Sequence, residues 1–216
     1  MEHNKLIEAT ANFVRNTLRD AEGGHDWWHI HRVWTNAKLI NQTEKTDQLI
    51  VELAALLHDI ADSKFHNGDE EIGPRTAGNY LQSMNVDTGV IEHVQQIIRH
   101  MSFKASFDKQ SFHSPELAVV QDADRLDAIG AIGIARAFTY GGFKGRELYN
   151  PEIPPNLNMT REEYKNTTAP TINHFYEKLL LLKDKMNTPA GKAIAEQRHT
   201  FMEDYLKQFF DECGSS

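Results

Sequence analysis

Apolar residues in this chain recur at intervals of three and four, the spacing that lines one face of a helix. Leu6, Phe13, Val14 and Leu18 mark a first helix, which Gly23-Gly24 ends. A second runs from about Asp26, with His29, Val33, Ala37 and Ile40 on one face. Thr46 or Asp47 can cap a third, in which Leu49, Ile50, Leu53, Ala54, Leu57 and Ile60 form an apolar side broad enough for a central helix. Beyond a polar loop at 66–70, Thr76, Ala77, Tyr80, Leu81 and Met84 mark a fourth helix. Asp87 begins a fifth, carrying Val90, Ile91, Val94, Ile97, Ile98 and Met101.

Pro115 suits the first turn of a sixth helix, where its missing amide proton would go unpaired anyway. The stretch 124–137, DRLDAIGAIGIARA, is rich in small residues. Gly130 and Gly133 there cost about 1 kcal/mol each in helix propensity, and a close helix–helix approach is the expected return. Residues 141–169, with Pro151, Pro154 and Pro155, read as a long loop or lid with at most one short helix. Pro170 and Thr188-Pro189 open two C-terminal helices within 170–212, the first with Ile172, Phe175, Leu179 and Leu182 on one face. No segment alternates with period two for more than a few residues, so the expected fold is all-α, a helical bundle-like single domain over 1–216.

Composition narrows the classes. The 216 residues are 40% hydrophobic and 25% charged, enough for a buried core and near the globular average. Net charge is −8 with no basic run, so a nucleic-acid polymer is not an expected partner. An acidic protein that binds phosphates must concentrate positive charge locally, and a bound metal is one way to do so. Cys213 is the only cysteine, which suits a reducing cytoplasm. The first 20 residues hold no uninterrupted apolar stretch, so neither a signal peptide nor a membrane span is expected. Oligomeric state stays open, a homo-oligomer included.

Three segments carry candidate chemistry: HDWWHIHRV at 25–33, LLHDIAD at 56–62 and QDADRLDAIG at 121–130. Imidazole and carboxylate are common ligands for catalytic divalent ions. His58 and Asp59 sit side by side on an apolar helix, where an unpaired carboxylate is expensive to bury, and a cation would supply the missing partner. Taken singly, each residue has a plainer reading. A His-Asp pair arises by chance, His29 can be a satisfied core histidine, and Asp124 can be an N-cap for the helix after it. Their combination is much harder to obtain by accident.

With those residues in place, the sequence resembles the HD-domain metal-dependent phosphohydrolase superfamily, whose signature is H…HD…D on separate helices. His29, Arg32 and Val33, the apolar run into His58-Asp59, and the ADRL at 123–126 match its local contexts. The fuller strings HDWWH, LLHDIADSKF and QDADRLDAIGAIGIAR are similar to the YpgQ/YedJ-like branch. The motif core covers about 20–140. The resemblance implies a helical fold and one divalent ion held by His29, His58, Asp59 and Asp124. Mn²⁺ or Mg²⁺ is favoured, with Fe, Co, Ni or Zn compatible. It also implies hydrolysis of phosphate esters or anhydrides, with pyrophosphohydrolysis of nucleoside triphosphates leading and a small phosphorylated substrate as partner.

Related nucleotidases carry an acidic residue three after the HD aspartate as general acid or base, and Asp62 occupies that spacing with a shorter reach than Glu. Some relatives bind a second metal through extra histidines, for which His93, His100 and His113 are available. His100 is read here as a substrate contact instead, with Lys64 and Lys104 bordering the cavity. Arg32, Arg125, Lys144 and Arg146 are further cations, each equally readable as a surface charge or a structural pair, and His25 carries no assignment. Trp27 and Trp28 can stack on a base or serve as core. A phosphodiesterase of cyclic or linear nucleotides is the rival enzyme, and a helical signalling module with a bound metal is the rival of another class.

Overall fold

The computed structural model describes residues 3–19, 26–61, 69–101, 112–160, 163 and 166–214. Among these no β-strand occurs, and the fold is all-α. The helices are α1 His3–Thr17, α2 Trp27–Glu44, α3 Gln48–Leu57, α4 Ile72–Ser83, α5 Thr88–His100, α6 Pro115–Asp127, α7 Gly130–Phe143, α8 Asn173–Glu177 and α9 Pro189–Glu212. A 3₁₀ helix, Leu179–Lys185, lies between α8 and α9. Two compact units hold them, Met1–Asp124 and Arg125–Ser216. No helix among the described residues is long and apolar enough to cross a membrane.

Short polar side chains fix where helices start. The carboxylates of Asp26, Asp47 and Asp87 accept from the amides of His29, Ile50 and Gly89, at 2.9, 3.1 and 2.9 Å. Ser114 Oγ accepts from Leu117 at the start of α6, and Thr188 Oγ1 from Gly191 at the start of α9. Each such cap contributes about 1 kcal/mol by pairing an amide that the helix itself leaves unbonded. Of the two caps open for α3, Asp47 is the one used.

In the first unit α3 forms the core. Ile50 to Leu57 is buried throughout, and the helix packs against α1, α2 and α5, while α4 pairs with α5. One charge interrupts that apolar helix. Glu52 is 5% exposed, and its carboxylate accepts from Trp34 Nε1 on α2 at 2.8 Å and Gln48 Nε2 at 2.9 Å.

The third helix ends at Leu57, earlier than its apolar pattern predicts. Ile60 remains buried, but its amide bonds the Leu57 carbonyl in a tighter turn at 3.2 Å. His58 Nδ1 meets the Ala55 carbonyl at 2.9 Å and so competes for the acceptor that the next helical amide would use. His58 and Asp59 therefore sit at the mouth of α3 rather than inside it.

In the second unit α7 packs on α9, and the 3₁₀ helix on α8 and α9. The small-residue stretch is not one helix. It breaks after Asp127, and Gly130 starts α7 with φ +72°, a conformation glycine adopts without strain. A Cβ on Gly133 would come within 2.3 Å of the Ala128 carbonyl oxygen, so this glycine serves the chain's own corner, not a neighbouring helix. Gly130 does lie against α9, where its Cβ would be 3.1 Å from Arg198. The first C-terminal helix is also split. Lys178, at φ −146° and ψ −57°, separates α8 from the 3₁₀ helix, so the predicted single apolar face is divided.

Candidate metal centre

His29 occupies the first turn of α2, fixed there because its own amide is the one that Asp26 caps. Its side chain is 3% exposed and points to the mouth of α3. His58, equally buried, approaches with ring centroids 5.5 Å apart in an edge-on arrangement. A carbonyl can only accept, so His58 Nδ1 carries the proton in this contact and Nε2 keeps its lone pair. That Nε2 is buried without a hydrogen-bond partner.

Carboxylates complete the arrangement. Asp59 Oδ2 lies 3.6 Å from His29 Nε2 and 3.7 Å from His58 Nε2. Donor atoms of His29, His58 and Asp59 all fall within 4.8 Å of one another. Asp124 enters from α6, with Oδ1 3.6 Å from His29 Nε2. It lies inside that helix and not at the start of the next, which removes its alternative reading as an N-cap. Separations of 3.6 Å are long for hydrogen bonds, yet close to the ~3–3.5 Å between two donors bound to one first-row cation at ~2.1 Å. A buried imidazole nitrogen with no partner costs about 1–3 kcal/mol, which a cation would offset. The residues present fit a divalent ion.

Asp62, Lys64, Lys104 and His25 lie outside the described residues. His100 ends α5, where Nδ1 meets the Gln96 carbonyl at 2.8 Å and the ring tilts against Phe112. It is not part of the cluster. His93 meets Ser114 Oγ at 3.0 Å and Glu116 at 3.5 Å, at the start of α6. Among the described residues no second group of three His, Cys, Asp or Glu side chains converges in this way. Arg125 donates to the Lys185 carbonyl at 2.6 Å, a structural contact within the second unit. Arg146 donates to the Thr167 carbonyl and lies over the Tyr140 ring, and Lys144 lies near Tyr140 and Phe143. Trp28 is 59% exposed, and its ring meets His31 edge-on.

Sequence reasoning missed three polar ties on α6. Asn36 Nδ2 on α2 donates to the Ala123 carbonyl at 3.2 Å, and Gln121 Nε2 to the His100 carbonyl at 3.0 Å. Glu116 accepts from the Asp47 amide at 3.1 Å. A signal for the first was present, since Asn36 interrupts the apolar face of α2 seven residues after His29.

Comparison with known proteins gives one family. The HD domain model matches residues 27–129. YpgQ of Bacillus subtilis is 38% identical over 212 residues, covering 96% of this chain and 94% of its own. The crystal structure of an HD-superfamily hydrolase from Bacillus thuringiensis superposes with a TM-score of 0.80 at 43% identity, over 99% of this chain and 100% of that one. The crystal structure of Bacillus subtilis YpgQ in complex with ADP gives 0.77 at 36% identity, over 98% and 97%.

Proposed function

This chain belongs to the HD domain family, a class of metal-dependent phosphohydrolases, and from that premise we propose that it hydrolyses nucleotides, with nucleoside triphosphate pyrophosphohydrolysis leading. The observation that carries the reading is the buried Nε2 of His58, without a hydrogen-bond partner and 3.7 Å from Asp59, in the cluster that His29 and Asp124 complete. The adenine nucleotide bound by YpgQ supports a nucleotide over other phosphate esters.

His29 and His58 would hold a divalent cation through their Nε2 atoms, and Asp59 and Asp124 through carboxylate oxygens. When bound, such an ion supplies a water of lowered pKa and positive charge against the phosphoryl oxygens. The chain's own groups divide the remaining work. The imidazoles are buried, whereas Asp59 and Asp124 keep 31% and 42% of their side chains exposed. Substrate would therefore approach from the carboxylate side. The Ala55 carbonyl keeps the His58 proton on Nδ1 and the ring orientation fixed. Asp62 is the proposed general acid or base, and Lys64, His100 and Lys104 the proposed contacts to phosphate oxygens, since phosphoryl transfer rests on positioning and charge stabilisation.

The test is a panel of nucleoside mono-, di- and triphosphates incubated with the Mn²⁺-loaded and Mg²⁺-loaded protein, with products separated as pyrophosphate or phosphate. Pyrophosphate release from a triphosphate, lost in Asp59→Ala, is expected. Phosphate release alone would replace the pyrophosphohydrolase assignment, and an inactive panel would remove the nucleotide one.

A further inference from the structure

We infer that Asn36 is a positioning residue for this centre: its side-chain amide, by holding the Ala123 carbonyl, sets the register in which α6 presents Asp124 to His29. The inference rests on the metal reading of the four-residue cluster.

Asn36 follows His29 by seven residues, two turns of helix with only about 20° of drift, so both lie on one face of α2. Both are buried, at 7% and 3% exposure. Opposite them, Ala123 is fully buried and its carbonyl is the one just ahead of Asp124. A helical carbonyl has a second lone pair, so it can accept from Asn36 without leaving its helix. Helices α2 and α6 thus meet at two points along one line. One is the Asn36–Ala123 hydrogen bond at 3.2 Å, and the other is the pair of donor atoms on His29 and Asp124, 3.6 Å apart.

Asp124 needs such a device more than the others do. His58 and Asp59 are neighbours in the chain, so their spacing is largely covalent. Asp124 arrives on a separate helix, and its half-exposed side chain is not wedged in place by packing. Apolar contacts are non-directional and tolerate sliding, whereas a hydrogen bond fixes distance and angle. A functional constellation must be held to about 0.5 Å, and a small rotation of α6 would exceed that. The ties from Gln121 and Glu116 fasten α6 to the end of α5 and to the cap of α3. The Asn36 tie is adjacent in sequence to Asp124 itself.

The experiment titrates Mn²⁺ into the apo full-length chain and reads free ion by electron paramagnetic resonance, with melting temperatures taken on the same samples. Asn36→Asp keeps the shape and removes the donor, and Asn36→Leu removes all polarity. Each is expected to weaken Mn²⁺ binding by about 10- to 100-fold, the usual cost of losing a group that orients a metal ligand. Val14→Ala, a core change in α1, lowers the melting temperature and leaves the affinity at the wild-type value. Should Asn36→Asp fail to fold, Asn36→Leu carries the test. Wild-type affinity in a folded Asn36 variant overturns the inference and spares the metal reading. A wild-type chain that binds no Mn²⁺, or a His58→Ala chain that binds it normally, overturns the metal reading instead.

Discussion

His58 shows how one side chain is prepared for one task. Its Nδ1 is engaged by a backbone carbonyl three residues earlier, so its Nε2 faces the cluster with a lone pair and no hydrogen-bond partner. Replacing it with Ala should weaken Mn²⁺ binding on the order of a hundredfold or more and abolish metal-supported turnover, with far-ultraviolet circular dichroism unchanged. Normal turnover under strict metal control would end the assignment. His174 behaves differently. Burial first, then the nearby charges of Lys178 and Arg146, lower its pKa from 6.5 to about 4. Between those values the unfolded chain binds the proton and the folded chain does not, so this stability is present above pH 6.5 and is lost as pH falls toward 4. The loss should approach about 3 kcal/mol, and denaturant midpoints at pH 7.5 and 5 should differ less in His174→Gln than in the wild type. At this scale the four residues were legible in combination, His58 and Asp59 because they follow an apolar run, and His29 and Asp124 because their motifs complete the pattern the chain resembles. Asn36 was legible only as a polar break in the apolar face of α2, because the carbonyl it holds is 87 residues away and no local pattern announces that pairing.

Helix boundaries followed the capping residues. Asp26, Asp47, Asp87 and Thr188 each begin a helix where a side-chain oxygen can meet an amide two or three residues on. Breaks set by tertiary packing were less visible. The corner between α6 and α7 depends on Arg198 donating to the Leu126 carbonyl and on the ion pair of the buried Asp127 with the half-buried Arg136. Neither pairing has a local sequence signal. The corner yields a prediction about its two glycines. Gly133→Ala forces a Cβ against backbone that cannot give way, and should cost about 2–3 kcal/mol. Gly130→Ala places an L side chain at φ +72° and should cost about 1–2 kcal/mol. Urea unfolding of both variants checks the order, and a Gly133→Ala chain as stable as wild type would show the corner to be adjustable.

For the whole molecule, cation binding and folding are linked. A ligand that binds only the folded chain adds about 2.7 kcal/mol at a concentration a hundred times its Kd. For a chain of this length that is a rise of roughly 5–11 °C in melting temperature. Calorimetry with Mn²⁺ should show the rise in the wild type and its disappearance in Asp59→Ala. If the chain melts in two steps, the rise belongs to the step of residues 1–124, which contain all four cluster residues. The early end of α3 adds a last consequence. Its peptide dipoles align along ten residues, eight of them buried, and their partial negative charge collects at the terminus that bears His58 and Asp59. A positive ion seated there gains about 0.3–1 kcal/mol from the main chain alone. No side-chain substitution in the cluster can delete that share, so single-ligand variants should retain a weak attraction for cations that vanishes as salt is raised.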